Sequence, residues 1–241
     1  MLRSSQNLPD YIHEVRARVA AAAASAGRNV DSVTLLAVSK GQPAERVRAA
    51  AAQGLTDVGE SYLAEALGKQ EALGGLPLTW HFIGRIQANK TRQVAERFAW
   101  VHGVDRLKIA ERLAAQRPYH APALNVCIQV SLAGEASKGG VPAAEVPGLA
   151  AEVARLPRLT LRGLMCIPPE EADPARQREW FARLRAVRDS LNAGGLGLDT
   201  LSMGMSEDFE AAIREGATIV RIGTALFGPR PATASPGTIP S

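Results

Sequence analysis

The chain has 241 residues, 46% of them apolar, a net charge of +4, a pI near 9.4 and a mean hydropathy of −0.05. That balance argues against a disordered chain, and the length suits a single α/β domain. Its 28 basic and 24 acidic side chains are scattered along many segments, so they read as a solvated surface, and neither a nucleic-acid nor a membrane partner is expected.

In chain order, an Ala-rich segment over residues 8–26 is expected to form a first helix. Glu14, Arg16 and Arg18 interrupt it, so it lacks the order of a secretory signal, and a cytoplasmic address is expected. Short runs rich in Val, Ile, Leu and Thr follow at 34–39, 56–59, 79–83, 100–104, 124–130, 160–165, 199–202 and 218–222. Amphipathic Ala/Arg/Glu segments lie between them. Eight strands alternating with helices are the number that closes a parallel barrel, and continuous apolar runs suit strands covered on both faces. The expected fold is therefore an α/β (β/α)8 TIM barrel with an extra N-terminal helix. Punctuation agrees: Pro43 as a first-turn proline, Gly54 and Gly216 as helix stops, Asp105 as an N-cap. Residues 1–228 are read as one domain and the Pro/Ser/Thr/Gly-rich stretch 229–241 as a loose tail. Cys127 and Cys166 sit alone in apolar runs, which predicts buried reduced thiols.

Three places carry chemistry. Lys40, one of only five lysines, directly follows the run Leu35-Leu36-Ala37-Val38-Ser39, at the strand end that faces a barrel's active site. Partial desolvation there disfavours the ammonium and frees an amine to attack an aldehyde, although a lysine snorkelling off a strand end would look the same. In 201–209, Gly204 makes a turn and Ser206 is placed as an N-cap, so this segment reads as a phosphate seat or as a plain cap. Val220-Arg221-Ile222-Gly223-Thr224 closes the last strand: Gly223 permits close backbone approach and Thr224 offers a hydroxyl. A charge at Arg221 inside an apolar strand requires a partner. The loops after the seventh and eighth strands often build a barrel's phosphate site, and these are those two loops.

The segments LLAVSK (35–40), VGESYLAE (58–65), WHFIGRIQANK (80–90), LRGLM (161–165), LSMGMSEDFEAAI (201–213) and VRIGTALFG (220–228) resemble the pyridoxal phosphate homeostasis protein family, single-domain relatives of the alanine racemase N-terminal barrel. The resemblance implies pyridoxal 5′-phosphate (PLP) held as a Schiff base on Lys40, in a fold like that of the type III PLP enzymes. It also implies phosphate contacts from Ser206, Gly223 and Thr224, with Arg221 at the pyridine nitrogen. Ser61 stands where the family usually has Asn, with a shorter reach toward the ring. Lys138 matches a Ser-Lys-x-Gly loop and is either a second amine or phosphate contact or a surface lysine. Met203 and Met165 would pack around the ring, as core methionines also do. His81 has no acid or metal partner apparent in the sequence and reads as a satisfied strand histidine.

Three functions compete. The favoured one is a monomeric cytoplasmic carrier or regulator of PLP that serves PLP-dependent apo-enzymes with little or no turnover. An alanine-type racemase would need a second base opposite Lys40, and Tyr11, Tyr62 and Tyr119 are not in the C-terminal β-domain that supplies it in alanine racemases. A phosphate-binding barrel enzyme that uses no PLP would be colourless.

Overall fold

A computed structural model describes residues 7–134 and 139–229. Helix α1 (Leu8–Ser25) opens with a reciprocal capping box between Asn7 and Asp10, which satisfies two otherwise orphaned amide donors. Its apolar residues Leu8, Ile12, Val15, Val19 and Ala22 recur at spacings of three and four, so they form one buried stripe. That stripe packs against the barrel's outer helices, and Arg18 at one edge pairs with Glu210 at 2.6 Å.

The barrel strands are β1 (Thr34–Val38), β2 (Asp57–Glu60), β3 (Thr79–Phe82), β4 (Trp100–Val104), β5 (Leu124–Ser131), β7 (Leu159–Cys166), β8 (Thr200–Ser202) and β9 (Ile219–Ile222). They neighbour one another in the order β4-β3-β2-β1-β9-β8-β7-β5, and a β4–β5 pairing closes the ring. The two-residue β6 (Val141–Pro142) is an appendage on the outer run of β5. All pairings are parallel. Eight parallel strands put all their C-terminal ends on one rim, where the side chains from different loops can converge. The eight expected strands are therefore all present, each within a residue or two of its expected limits.

Helices α2 (Ala44–Ala52), α3 (Leu63–Ala72), α4 (Thr91–Arg97), α5 (Leu107–Gln116), α6 (Val146–Ala154), α7 (Pro174–Ala193), α8 (Phe209–Arg214) and α9 (Thr224–Phe227) cover the sheet. Two expected caps are corrected. Helix α5 starts at Leu107, with Arg106 as its N-cap, and Asp105 pairs instead with the Arg106 guanidinium at 2.7 Å. Ser206 is not the N-cap of α8. Asp208 holds that position, because its carboxylate accepts the Met205 N–H at 2.6 Å and so closes the turn ahead of the helix. The tail residues 230–241 lie outside the described residues.

Candidate active site

Lys40 is half-buried, two residues beyond the end of β1 on the C-terminal rim. It lines a cavity of about 40 Å³ with Val38, Gln42, Gly223, Thr224 and Gly228. That cavity meets a second, of about 480 Å³, at Thr224 and Gly228; Ser206, Tyr11 and Arg18 stand in its walls. The two loops are tied together, since Ser206 Oγ accepts the Ala225 N–H at 3.3 Å. Glu207 is exposed, and the Asp208 carboxylate is turned into its own loop. Asp208 is thus directed away from an anion at Ser206, whereas Glu207 stands in the same cavity wall as Ser206.

The backbone on both sides of Lys40 is clamped. The buried Lys69 ammonium, on α3, donates to the Ser39 carbonyl, to Glu60 Oε1 and to Glu65 Oε1, each at 2.6 Å. Glu65 Oε1 also accepts the Gly41 N–H at 2.6 Å, and Glu60 Oε1 accepts the Ser39 hydroxyl at 2.5 Å. Residues 39 and 41 are thus both fixed, with Lys40 between them. Burial raises the Glu60 pKa, against the pull of the Lys69 and Ser39 hydrogen bonds.

Arg221 is buried on β9 and finds neutral partners rather than a carboxylate. Its Nη1 donates to the Ser202 carbonyl at 2.6 Å and to Ser202 Oγ at 3.0 Å, and Nη2 donates to the Cys166 carbonyl at 2.8 Å. A guanidinium has five N–H donors, so Nε and one Nη2 hydrogen make no bond among the described residues. The Ser202 hydroxyl continues to His102 Nδ1 at 2.8 Å, His102 Nε2 to His81 Nδ1 at 3.0 Å, and His81 Nε2 to Asp57 at 3.0 Å.

A family model described as alanine racemase, N-terminal domain matches residues 13–231. The curated pyridoxal phosphate homeostasis protein of Pseudomonas aeruginosa is 60% identical over 223 residues, 92% of this chain and 96% of that one. The chain belongs to the pyridoxal phosphate homeostasis protein family. The Escherichia coli K12 protein of the same name is 49% identical over 220 residues, covering 90% of this chain and 94% of that one. Among solved structures, PipY of Synechococcus elongatus with PLP bound is 36% identical, with a TM-score of 0.82 over 92% of this chain and all of PipY. Alanine racemase from Corynebacterium glutamicum, at 20% identity and a TM-score of 0.70, shares the fold; the match covers 95% of this chain and 63% of the racemase.

Within this family member, the structure gathers Lys40, Gly223, Thr224 and Ser206 around two adjoining cavities. Met203 is fully buried in the core behind Gly204, outside both sets of walls, and Met165 is equally buried. Ser61 lines a different and larger cavity of about 660 Å³, with Gly84, Ile86 and Lys90, after β2 and β3. Size does not decide between the cavities: the amine and the two tied loops lie in the smaller pair. Lys138 lies outside the described residues. His81 is corrected in one respect, because it has an acid partner, Asp57. Sequence reasoning missed Asp57, Glu60, Glu65, Lys69, His102 and Ser202. For Asp57, Glu60, His102 and Ser202 the signal was present, since polar residues that interrupt apolar barrel strands need partners, whereas Glu65 and Lys69 lie on α3, where charged residues are ordinary.

Proposed function

We propose that this chain binds PLP on Lys40 and serves as a cytoplasmic, monomeric reserve or regulator of that cofactor for apo-enzymes, with little or no turnover of its own. The observation that carries this reading is the convergence of the clamped Lys40 with Ser206, Gly223 and Thr224 at one rim of the barrel. The residues fit the group. Gln42 Oε1 is a buried acceptor without a partner among the described residues, in the wall beside Lys40, and Arg221 keeps N–H donors uncommitted among those residues. PLP supplies an aldehyde that the Lys40 amine takes as a Schiff base, with loss of water.

Within this reading, the chain's own residues bind and orient. The clamp on residues 39 and 41 limits where the Lys40 amine can reach. Ser206 and Thr224 offer hydroxyls to a phosphate, and Arg221 offers N–H groups to a ring nitrogen. An arginine does not readily give up a proton, which leaves that ring a weak electron sink, so racemisation would need a well-placed base on each face of the reacting carbon, and Lys40 supplies one of the two. The names of the relatives from Pseudomonas aeruginosa and Escherichia coli support the same reading. So does the absence, among the described residues, of a helix long and apolar enough to cross a membrane.

Titration with PLP is expected to produce a visible absorption band in the wild type and in Lys138→Ala, and none in Lys40→Ala. Borohydride reduction followed by mass mapping should label the peptide over residues 35–45. Ser206→Ala and Thr224→Ala should each weaken binding by about 1 kcal/mol, the net value of one hydrogen bond. Arg221→Ala should mainly move the band. Label on another peptide, or rapid loss of optical rotation from alanine, overturns the proposal.

A further inference from the structure

The hydrogen bonds that begin at Arg221 have only one possible direction. Arginine can only donate and a carboxylate can only accept, so with both imidazoles neutral the Asp57 end fixes every proton up to Ser202, and Arg221 completes the chain. Ser202 Oγ accepts from Arg221 Nη1, and its own hydrogen goes to His102 Nδ1, 2.8 Å away, because the acceptor at the Asp57 end leaves that nitrogen of a neutral ring without a hydrogen. His102 must then carry its proton on Nε2 and donate it to His81 Nδ1 at 3.0 Å. His81 in turn carries its proton on Nε2 and donates it to Asp57 Oδ1 at 3.0 Å. All four hydrogens point the same way, from β9 through β8, β4 and β3 to β2.

The chain runs from one end of the barrel to the other. Asp57 is the first residue of β2 and a third exposed, on the rim opposite Lys40, whereas His81, His102, Ser202 and Arg221 are buried. The His102–Ser202 step bridges strands that are not neighbours in the ring. Trp100 stacks flat on the His81 ring, with centroids 5.5 Å apart and planes 5° apart, which fixes that imidazole. Burial lowers the His81 pKa, opposed by Asp57. Burial, then the proximity of His81 and Arg221, pushes His102 well below the ordinary histidine value. Both imidazoles are therefore neutral, as the chain needs, because a second ring proton would place two donors face to face. Nor can the chain relay protons to Arg221, which does not accept them. What it can do is orient and polarise, since aligned hydrogen bonds in a low-dielectric interior strengthen one another.

We propose that Asp57, His81, His102 and Ser202 are positioning residues that hold the Arg221 guanidinium and carry the influence of a remote carboxylate to the cofactor ring. This rests on the reading that PLP lies against Arg221. Asp57→Asn keeps the side chain's shape and removes its charge. It is expected to move the absorption band of the PLP-loaded protein and to change PLP affinity by roughly threefold or more, within the range of one hydrogen bond's net worth. Asp199→Asn removes a carboxylate outside the chain, one that pairs with Arg162, whose guanidinium lies over the Trp100 ring, and should leave both quantities unchanged. In a Ser202→Ala background, Asp57→Asn should have no further effect, because the link to Arg221 is gone.

An Asp57→Asn protein with a wild-type band and affinity overturns the inference, as does an equal effect from Asp199→Asn or an undiminished one in the Ser202→Ala background. If Asp57→Asn does not fold, nitrogen NMR of the wild-type histidines decides: both should carry hydrogen on Nε2, and an Nδ1–H tautomer at either ring breaks the chain. A wild type that forms no PLP band is a different result, since it defeats the proposed function itself.

Discussion

At Lys69 the ammonium has three hydrogens and gives one each to Ser39, Glu60 and Glu65. Glu60 is wholly buried and its second oxygen already lacks a partner, so it depends on this lysine to compensate its charge. Lys69→Met strands that carboxylate, and breaking one side of a buried pair costs about 3–5 kcal/mol. The loss should shrink in acid, because a carboxyl whose folded pKa is raised favours folding most below its unfolded pKa and loses that contribution as pH rises through the folded value. The double variant Glu60→Leu/Lys69→Met leaves no fully buried charge in this cluster, only the partly exposed Glu65, and should recover most of the stability. It should still bind PLP weakly, since the hold on Ser39 beside Lys40 is gone. Urea unfolding and PLP titration of the single and double variants test this. Full recovery of both properties would show that the cluster serves stability alone.

Strand β7 shows how the elements constrain sequence. Gly163 sits in its buried half, opposite Thr200 on β8 and Cys127 on β5. A Cβ there would fall on the Thr200 carbonyl, with the carbonyl carbon 2.6 Å away and Cα 3.0 Å away. Both neighbours are backbone of a closed ring and have little freedom to retreat. Gly163→Ala should therefore cost at least about 2 kcal/mol and lower Tm by roughly 4–8 °C. Gly197→Ala, where a Cβ meets nothing within 4 Å, is the matched control and should change Tm little. Equal melting of the two would mean that β7 and β8 can separate. The strands themselves were legible in the sequence because an apolar run bounded by turn residues is a local signal. Lys40, Gly223 and Thr224 were legible for the same reason, being the residues that follow such runs. The buried chain was not, because its pairings join residues 21, 24 and 100 apart and only ring closure brings them together. Ser206 fell between the two cases: its place near Thr224 was foreseen, but the cap role went to Asp208 because a carboxylate two residues on closes the turn first.

For the whole molecule, the buried histidines set how stability responds to acid. The pKa values of His81 and His102 are lowered on folding from an ordinary value of 6.5. Below that value the unfolded chain takes up protons that the folded chain refuses, so the unfolded state binds more protons and stability falls as pH falls. Glu60 and Asp208 act in the opposite sense, because burial raises their pKa values. A single acid-unfolding curve therefore mixes both effects. The difference between wild type and His102→Gln separates them, since the carboxyl groups are common to both proteins. Near neutral pH the wild type should be the more stable, as it keeps the bonds to Ser202 and His81. That advantage should narrow by about 1 kcal/mol over the first pH unit below 6.5, the linkage value of one histidine that ionises only in the unfolded chain. Urea titrations from neutral pH down to about 5.5 measure it. A constant gap would mean that His102 ionises equally in the folded and unfolded chains, and the neutral tautomer chain from Asp57 to Arg221 would then not survive mild acid.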